Sequence, residues 1–230
     1  MVMRLNSSEH ARVASAIAAA EARTSGEIFC VLAKQVSSYR DISLAWSAAA
    51  ALIVPLALIP LGFDSTWFPG LSDHWEAAHL AALDISVGRA VGIYAVVQAA
   101  VFLGAYVLLR IPALTRLVTP RGVRRDRARQ AAMHQFLAHG LHVTEHRTGV
   151  LIFAAMADRQ VEIIADQGIH SRVDPTVWAE AVEVLTEGLR TDRAAEGFEK
   201  AIALVGGVLA GHFPPRSRNP NEVPDRLVEI

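Results

Sequence analysis

Two long apolar segments interrupt an otherwise polar chain. Residues 42–62 carry no charged side chain, and residues 91–109 carry none either. A helix rises about 1.5 Å per residue, so each segment is long enough to cross the roughly 30 Å hydrocarbon core of a bilayer. Buried helices of soluble proteins seldom run so long without a charge. The pattern predicts two transmembrane helices, spanning about 42–62 and 88–109, joined by an outer loop at 63–87.

The positively charged residues are distributed unevenly around this predicted hairpin. The loop at 63–87 has no lysine or arginine, whereas Lys34 and Arg40 precede the first apolar segment. Further arginines follow the second segment, namely Arg110, Arg116, Arg121, Arg124, Arg125, Arg127 and Arg129. Because lysine and arginine in short loops stay on the cytoplasmic side, both chain termini are expected in the cytoplasm.

The composition agrees with a membrane protein. The chain has 230 residues, of which 52% are hydrophobic and 20% charged, and this is apolar for a soluble protein. Its single cysteine, Cys30, cannot form an internal disulfide, which is compatible with a reducing compartment. The arginines beside the second span are predicted to face lipid headgroups rather than nucleic acid, because no aromatic residues interleave them. The predicted lipid-facing residues are Arg110, Arg116, Arg121, Arg124 and Arg125.

Two polar pieces, residues 1–41 and 110–230, remain when the hairpin at 42–109 is removed. The first piece is too short to fold alone, so the two are predicted to form one domain that the hairpin interrupts after its first strand. The tail HFPPRSRNPNEVPD is rich in proline and is predicted to be irregular. The other predicted elements are a helix from Glu9 with Ser8 as its cap, a strand at 27–33, a helix at 127–139, strands at 149–155 and 160–165, a helix after Asp174 and Pro175, and a last helix at about 192–211.

A repeated pattern relates two of the predicted strands. The strands at 27–33 and 149–155 each follow a helix and a tight turn, in the stretches ARTSGEIFCV and HRTGVLIFA. The repeat predicts two neighbouring parallel strands with helices packed on the sheet. The strand at 160–165 is close enough to the second of these to pair with it as a hairpin. The predicted fold class is therefore α/β, a small mixed sheet packed between helices with an inserted transmembrane hairpin.

The order of these segments resembles the TPM-domain family, and within it a bacterial branch of membrane proteins with two spans inside the domain. The resemblance rests on the succession of TSGEI, FLAHGLHVTEHRTG, VLIFAAMADR, QVEIIADQGI, VDPTVW and HFPPRSRNPNEVPD. It implies an α/β/α sandwich and a place in the bacterial inner, or plasma, membrane. Some members of the family resemble acid phosphatases and bind calcium through acidic residues at the edge of the sheet, whereas others assist membrane complexes.

Three acidic residues are candidate ligands for a calcium-like divalent cation. Asp166 and Asp174 flank the loop DQGIHSRVD, which could bring two carboxylates and a carbonyl onto a hard cation. The resemblance places Asp174 where the family has an acid implicated in metal binding. Glu27 could complete that site, or it could form an ion pair with Arg147 or Arg23. Both aspartates also have a structural explanation, because strand ends and helix caps favour Asp.

The histidine-rich stretch at 134–146 is predicted to be a helix end and a turn rather than a zinc site. His134 and His139 are five residues apart and diverge on a helix, and the chain has no HExxH motif. The chain also has no GxSxG motif and no P-loop. A phosphatase built on this sequence would therefore need a metal-activated water.

The sequence thus predicts a two-pass membrane protein that presents a cytoplasmic TPM-like domain as an accessory or binding module for a membrane-associated complex. Its expected partners are membrane lipid and a membrane protein, and nucleic acid is not expected. The alternative is a metal-dependent, phosphatase-like hydrolase that uses the acidic loop between Asp166 and Asp174. Whether the protein is an enzyme stays open at this point, and no catalytic residue is assigned.

Overall fold

The computed structural model describes residues 5–58, 81–216 and 220–230, the side chains of residues 81–90 and of Pro175 excepted. The chain divides into two compact units. The first unit consists of Met1–Ser38 and Arg121–Ile230, and the second is Tyr39–Pro120.

The first helix of the first unit, α1 (Ser7–Glu21), starts with a capping box. The Asn6 side chain accepts a hydrogen bond from the Glu9 amide at 2.9 Å, and the Glu9 carboxylate accepts one from the Asn6 amide at 2.7 Å. Two amide groups near the start of the helix gain partners in this way. The prediction that Ser8 is the cap is wrong, because Asn6 caps as well as serine does and lies two residues earlier. Ser8 instead donates to the Asn6 side chain.

A mixed sheet with the strand order β3-β2-β1-β4 lies at the centre of the first unit. β1 (Glu27–Ala33) pairs in parallel with β2 (Gly149–Ala155), with Glu27 opposite Gly149. β3 (Gln160–Ala165) pairs with β2 in the antiparallel direction. The predicted parallel pair, the hairpin and the α/β class are therefore confirmed, and the register aligns the two stretches that repeat in the sequence.

The tail contributes a strand that the sequence pattern does not predict. β4 (Leu227–Glu229) runs parallel to β1 along its outer edge. The Lys34 amide donates to the Ile230 carbonyl at 2.8 Å, and the Ile230 amide donates to the Leu32 carbonyl at 3.0 Å. The stretch predicted to be irregular ends at Asp225, so β4 lies beyond it, and pairing with a strand from the other end of the chain orders these last residues.

Side chains of the sheet alternate between two cores, one on each face. β1 and β2 are buried along their whole length, which is typical of strands covered on both faces. One core lies between the sheet and α1, α7 (Ala179–Arg190) and α8 (Ala194–His212). The other core lies beneath α5 (Arg121–Ala138) and the 3-10 turn Leu141–Val143. The first unit is therefore a small α/β/α sandwich of the predicted kind.

Two helices differ from their predicted bounds. α5 begins at Arg121 instead of residue 127, because arginine is a good helix former and continues the helix toward its start. The helix predicted directly after Asp174 and Pro175 starts only at Ala179, as α7, and the 3-10 turn Pro175–Trp178 precedes it. The single-turn helix α6 (Gln167–His170) lies earlier in the segment between β3 and α7. These two short turns carry the acidic loop that the sequence singles out.

The second unit contains α2 (Arg40–Leu58), α3 (Ala81–Leu108) and α4 (Pro112–Val118). α2 and the stretch Val91–Leu108 of α3 are each long and apolar enough to cross a membrane. α2 packs against α3 and α4, and the Trp46 indole donates to the Val118 carbonyl at 3.2 Å. The buried positions of α2 recur at every fourth residue along one side, namely Ser43, Ser47, Ala51 and Pro55.

The predicted outer loop lies only partly within the described residues. Residues 59–80 are outside them, and these include the end of the first predicted span. The sequence pattern predicts that residues 81–87 belong to this loop, but they are helical and form the start of α3. The second helix therefore starts earlier than the predicted residue 88.

Candidate functional site

Glu27 and Asp166, two of the predicted ligands, lie at the same end of the sheet and on the same face. Glu27 is opposite Gly149, and the Asp166 amide donates to the Gly149 carbonyl at 2.9 Å. Because side chains of directly opposed residues point to the same face, both carboxylates lie on the side of the sheet that α5 covers. Strands are about 4.8 Å apart, so the Cα atoms of Glu27 and Asp166 are separated by roughly 10 Å.

Main chain occupies the space above Gly149, between these two carboxylates. A Cβ atom on Gly149 would lie 2.6 Å from the Leu141 carbonyl oxygen. Only glycine therefore allows the Leu141 main chain to approach β2 so closely. Leu141 is fully buried, so Glu27 and Asp166 lie on either side of a packed turn.

Asp166 caps α6 and has one oxygen without a hydrogen-bond partner among the described residues. Its Oδ1 atom accepts from the Gln167 amide at 2.6 Å, whereas its buried Oδ2 atom accepts nothing from them. The residue is only 8% exposed. A buried carboxylate oxygen that lacks a donor carries a penalty for the water it has lost. Oδ2 of Asp166 is therefore an atom that a cation or a water molecule would stabilise.

Asp174 is an exposed cap at the start of the turn Pro175–Trp178. Its Oδ1 atom accepts from the Thr176 amide at 2.8 Å and from the Thr176 hydroxyl at 2.8 Å. The main-chain bond and then the hydroxyl bond lower the pKa of Asp174, because both stabilise the charged carboxylate. The structural explanation of Asp174 is thus observed, and cation binding by this residue stays a prediction.

Glu27 contacts the tail. Its Oε2 atom accepts from the Val223 amide at 3.3 Å, and the residue is 4% exposed. Neither of the two arginines considered as its ion-pair partner is seen to form that pair, since Arg23 donates to a main-chain carbonyl and Arg147 to a glutamine side chain. Burial is the largest cause that raises the pKa of Glu27, and the neighbouring Glu222 and Asp225 raise it further.

A further buried acid, Glu21, was not singled out from the sequence. It ends α1, is 8% exposed, and accepts from the Ile28 amide at 2.7 Å. Burial, together with the negative charges of Glu27 and Asp225, raises the pKa of Glu21 to about 9. Its carboxyl group is therefore protonated at neutral pH. The sequence does contain a sign of this, because Glu21 follows Ile17 by four residues and lies on the apolar side of α1.

Glu21, Glu27, Glu222 and Asp225 lie close together, and we call them the tail carboxyls. Glu222 accepts from the Glu145 amide at 3.0 Å, and Asp225 accepts from the Asn221 side chain at 2.6 Å. Asp225 also lies close enough to Glu21 to raise the pKa of its carboxyl group. The tail carboxyls therefore attach the segment 221–225 to the end of the sheet.

The three predicted ligands do not form a common set in the described structure. Within residues 5–58, 81–216 and 220–230, no group of three or more His, Cys, Asp or Glu side chains could hold a metal ion. Asp174 is engaged as an exposed cap and Glu27 is engaged with the tail. The calcium-like cation stays a prediction, and Asp166 is the candidate that retains an unused buried oxygen.

The histidine-rich stretch has the predicted form of a helix end and a turn. Gly140 follows α5 with a φ of 71°, a left-handed conformation that glycine adopts without strain. The His139 ring lies 4.3 Å from the Phe29 ring, centroid to centroid. Partial burial is the main cause that lowers the pKa of His139.

The predicted lipid-facing arginines divide between the two units. Arg110 and Arg116 lie in the second unit, whereas Arg121, Arg124 and Arg125 belong to α5. Arg124 is only 9% exposed and lies on the buried side of α5. Its prediction as a lipid-facing residue is therefore wrong, because the helical period turns it inward. Arg129, one turn after Arg125, is exposed on the outer side.

Residues 115–208 match the TPM domain family. This part of the chain carries a TPM domain. The match runs from α4 into α8, so it includes β2, β3 and the loop with Asp166 and Asp174. β1 and β4 lie outside the matched residues, yet they complete the same sheet. No curated protein matches the sequence.

A solved structure has a similar fold. It is the NMR structure of BA42 protein from the psychrophilic bacterium Bizionia argentinensis, with a TM-score of 0.55 and 17% sequence identity. The likeness covers 99% of this chain and 97% of that chain. At this identity it concerns the fold alone, and it supports the α/β arrangement described above.

Proposed function

We propose that this protein is a two-pass protein of the bacterial inner membrane that holds its TPM domain in the cytoplasm. In this proposal the TPM domain serves as an accessory or binding module for a membrane-associated complex. A membrane protein is the expected partner, and nucleic acid is not.

The exposure of α3 carries the proposal. None of the residues in Val91–Leu108 is buried. Val96, Leu103 and Val107 expose 68%, 59% and 64% of their surface. Water disfavours a continuous apolar surface of this kind, whereas hydrocarbon favours it. A helix that is apolar on all sides and is not covered by protein is typical of a membrane span.

The distribution of arginine supports the orientation. The predicted loop at 63–87 has no lysine or arginine, while Lys34 and Arg40 precede α2 and an arginine-rich segment follows α3. Positive residues near the ends of membrane spans remain on the cytoplasmic side during insertion. The first unit, which contains both chain termini and most of the TPM match, would therefore lie in the cytoplasm.

The contacts of the acidic residues favour a binding role over a catalytic one. Asp174 caps a turn, and the tail carboxyls hold the tail against the sheet. The surface of the TPM domain also exposes large apolar side chains, such as Leu137, Val143 and Val177. Exposed apolar side chains can supply the hydrophobic part of a protein interface.

A metal-dependent phosphohydrolase is the second candidate, and a specific observation favours it. Oδ2 of Asp166 is buried and accepts no hydrogen bond from the described residues, so it could contribute one oxygen to a divalent cation. A bound cation would supply an activated water, which is the usual chemistry of such hydrolases. Asp166 would hold the ion, and Asp174 would need to leave its cap to reach it.

Thermal melting of the full-length protein in detergent, with and without Ca²⁺, Mg²⁺, Mn²⁺ or EDTA, separates the two candidates. A cation that binds only the folded state raises the melting midpoint. The accessory module predicts no shift with any of these additions. It also predicts that Asp174→Ala lowers the melting midpoint slightly through loss of its cap. The same proteins should be cross-linked to the variant and to the wild type.

If the protein is a metal-dependent hydrolase, the opposite result is expected, namely a melting midpoint that depends on the added cation. The midpoint would rise with calcium or manganese, and the rise would vanish in Asp166→Asn but persist in the control Glu180→Gln, which changes an exposed acid on α7. A cation-dependent rise that is lost only in Asp166→Asn and Asp174→Ala would contradict the accessory module as the sole function and would call for a phosphatase assay.

A further inference from the structure

The outer side of α5 carries an exposed row of residues at every fourth position. Arg121, Arg125 and Arg129 begin this row, and all three are exposed. Met133 and Leu137 continue it, with 38% and 49% of their surface exposed. Residues four apart are neighbours on a helix surface, and each step of four turns by about 40°, so the five form one row that winds around the outer side of α5. We call it the α5 stripe.

Arg121, the first residue of the α5 stripe, lies in the first turn of the helix, where a positive charge is least favourable. The first turn of α5 contains no acidic residue, and its arginines lie beside the partial positive charge of the helix start. Helix stability alone would place acidic residues there and arginine in the last turn. The first turn of α5 thus goes against the usual charge preference of helix starts, and no acidic residue in that turn offsets its arginines. Such a departure points to a binding partner outside the helix.

Acidic groups nearby neutralise only part of the charge. Asp126 lies on the exposed side of α5, and Arg125 lies 3.9 Å from Glu162 on β3. The Arg125 side chain nevertheless stays 71% exposed, and at 3.9 Å the ion pair is at the outer limit of such contacts. The stripe therefore keeps a net positive charge at one end and an apolar pair at the other.

We propose that the α5 stripe binds the surface of the bilayer, with its arginines on anionic lipid headgroups and Met133 and Leu137 between the headgroups. This inference rests on the proposed function, because α5 starts thirteen positions after the end of α3. A connection of that length reaches at most about 45 Å, so the stripe stays near any membrane that α3 spans. Basic residues attract anionic lipid, and adjacent apolar side chains add interfacial burial.

A fluorescent label in the apolar part of the stripe tests the contact. The full-length Leu137→Cys variant is labelled with an environment-sensitive dye and placed in nanodiscs that contain a lipid with a shallow spin-label quencher. The native Cys30 can stay, because it is fully buried. Val177→Cys is the matched control, since Val177 is 43% exposed on the same domain and lies away from the stripe.

A charge variant tests the arginines separately from the label. Arg121, Arg125 and Arg129 are changed together to Gln in the Leu137→Cys background. The control changes Arg190, Arg193 and Lys200 to Gln, which removes the same charge from side chains that are 61%, 61% and 59% exposed on α7, α8 and the turn between them. Each arginine near an anionic surface contributes about fivefold, so the stripe variant should lower the ratio of bound to free domain on the order of 100-fold.

Quenching at position 137 is expected to exceed quenching at position 177 and to require anionic lipid. High salt should abolish it, and so should the triple Arg→Gln variant of the stripe. The control charge variant should leave it unchanged. Equal quenching at both positions, or quenching that persists in the stripe variant, would overturn the inference. Dye signals that respond to RNA and not to anionic lipid would overturn it in favour of nucleic-acid binding. A chain that does not co-elute with nanodiscs would instead contradict the proposed function.

Discussion

Changing Val96 and Leu103 together to arginine is expected to prevent α3 from inserting into the membrane, while α2 can still anchor the chain. Both side chains belong to the part of α3 in which no residue is buried, and they lie seven residues apart on one side of the helix. An arginine near the centre of a span costs about 2.5–3.5 kcal/mol of insertion free energy, so two cost roughly 5–7 kcal/mol. The measurement is the reaction of a cysteine introduced at Ala100, near the middle of Val91–Leu108, with a water-soluble maleimide after permeabilisation, because the bilayer protects this position only when α3 is inserted.

Two exposed valines of the TPM domain provide the control for this pair. Val143 and Val177 are 70% and 43% exposed, and changing both to arginine adds the same charge outside the proposed spans. That variant should leave position 100 as unreactive as it is without the added arginines. If position 100 already reacted without Val96→Arg and Leu103→Arg in a folded protein, α3 would not be a membrane span.

Replacing Glu21 by Gln is expected to make the protein more stable at high pH and to change little at low pH. The ordinary pKa of this carboxyl group is 4.5, and in the folded state it is raised to about 9. Its favourable contribution is therefore complete below the ordinary value and is lost as the pH rises through the folded value. Gln keeps the contacts, because its oxygen can accept from the Ile28 amide and its amide group can donate to Asp225.

The expected difference is large for a single buried side chain. Between about pH 5 and about pH 8, the unfolding free energy of Glu21→Gln should rise relative to the wild type by roughly 2–4 kcal/mol, since each pH unit is worth about 1.4 kcal/mol per proton. Denaturant titration at several pH values measures it. Glu180→Gln, which changes an exposed acid, should show no such trend. A constant difference across this range would mean that Glu21 is already ionised in the folded protein.

The sheet could be predicted in large part from the sequence because its strands repeat a local pattern. The stretches ending in β1 and β2 share a helix, a tight turn and an apolar run, and the observed register places Glu27 opposite Gly149. β4 could not be predicted in the same way. Its short sequence has no strong strand pattern of its own, and pairing with β1 from the other end of the chain determines its conformation.

The candidate site was predicted less completely, because its geometry depends on contacts between distant segments. The sequence places Glu27 and Asp166 at strand ends, but it does not show that Leu141 fills the space above Gly149 between them. Nor does it show that the tail reaches Glu27 through Val223. The inward position of Arg124 could have been predicted from the sequence, since helical periodicity aligns it with the buried Ala128.

The most direct test of a membrane-anchored, cytoplasmic TPM domain is to map which side of the membrane each unit occupies. Ser72→Cys lies in the predicted outer loop, and Val177→Cys lies on the TPM domain. Each variant is treated with a membrane-impermeant maleimide in intact spheroplasts and again after permeabilisation. The account predicts that Ser72→Cys is labelled in both conditions, whereas Val177→Cys is labelled only after permeabilisation. Labelling of Val177→Cys in intact spheroplasts, with Ser72→Cys protected, would contradict the proposed orientation.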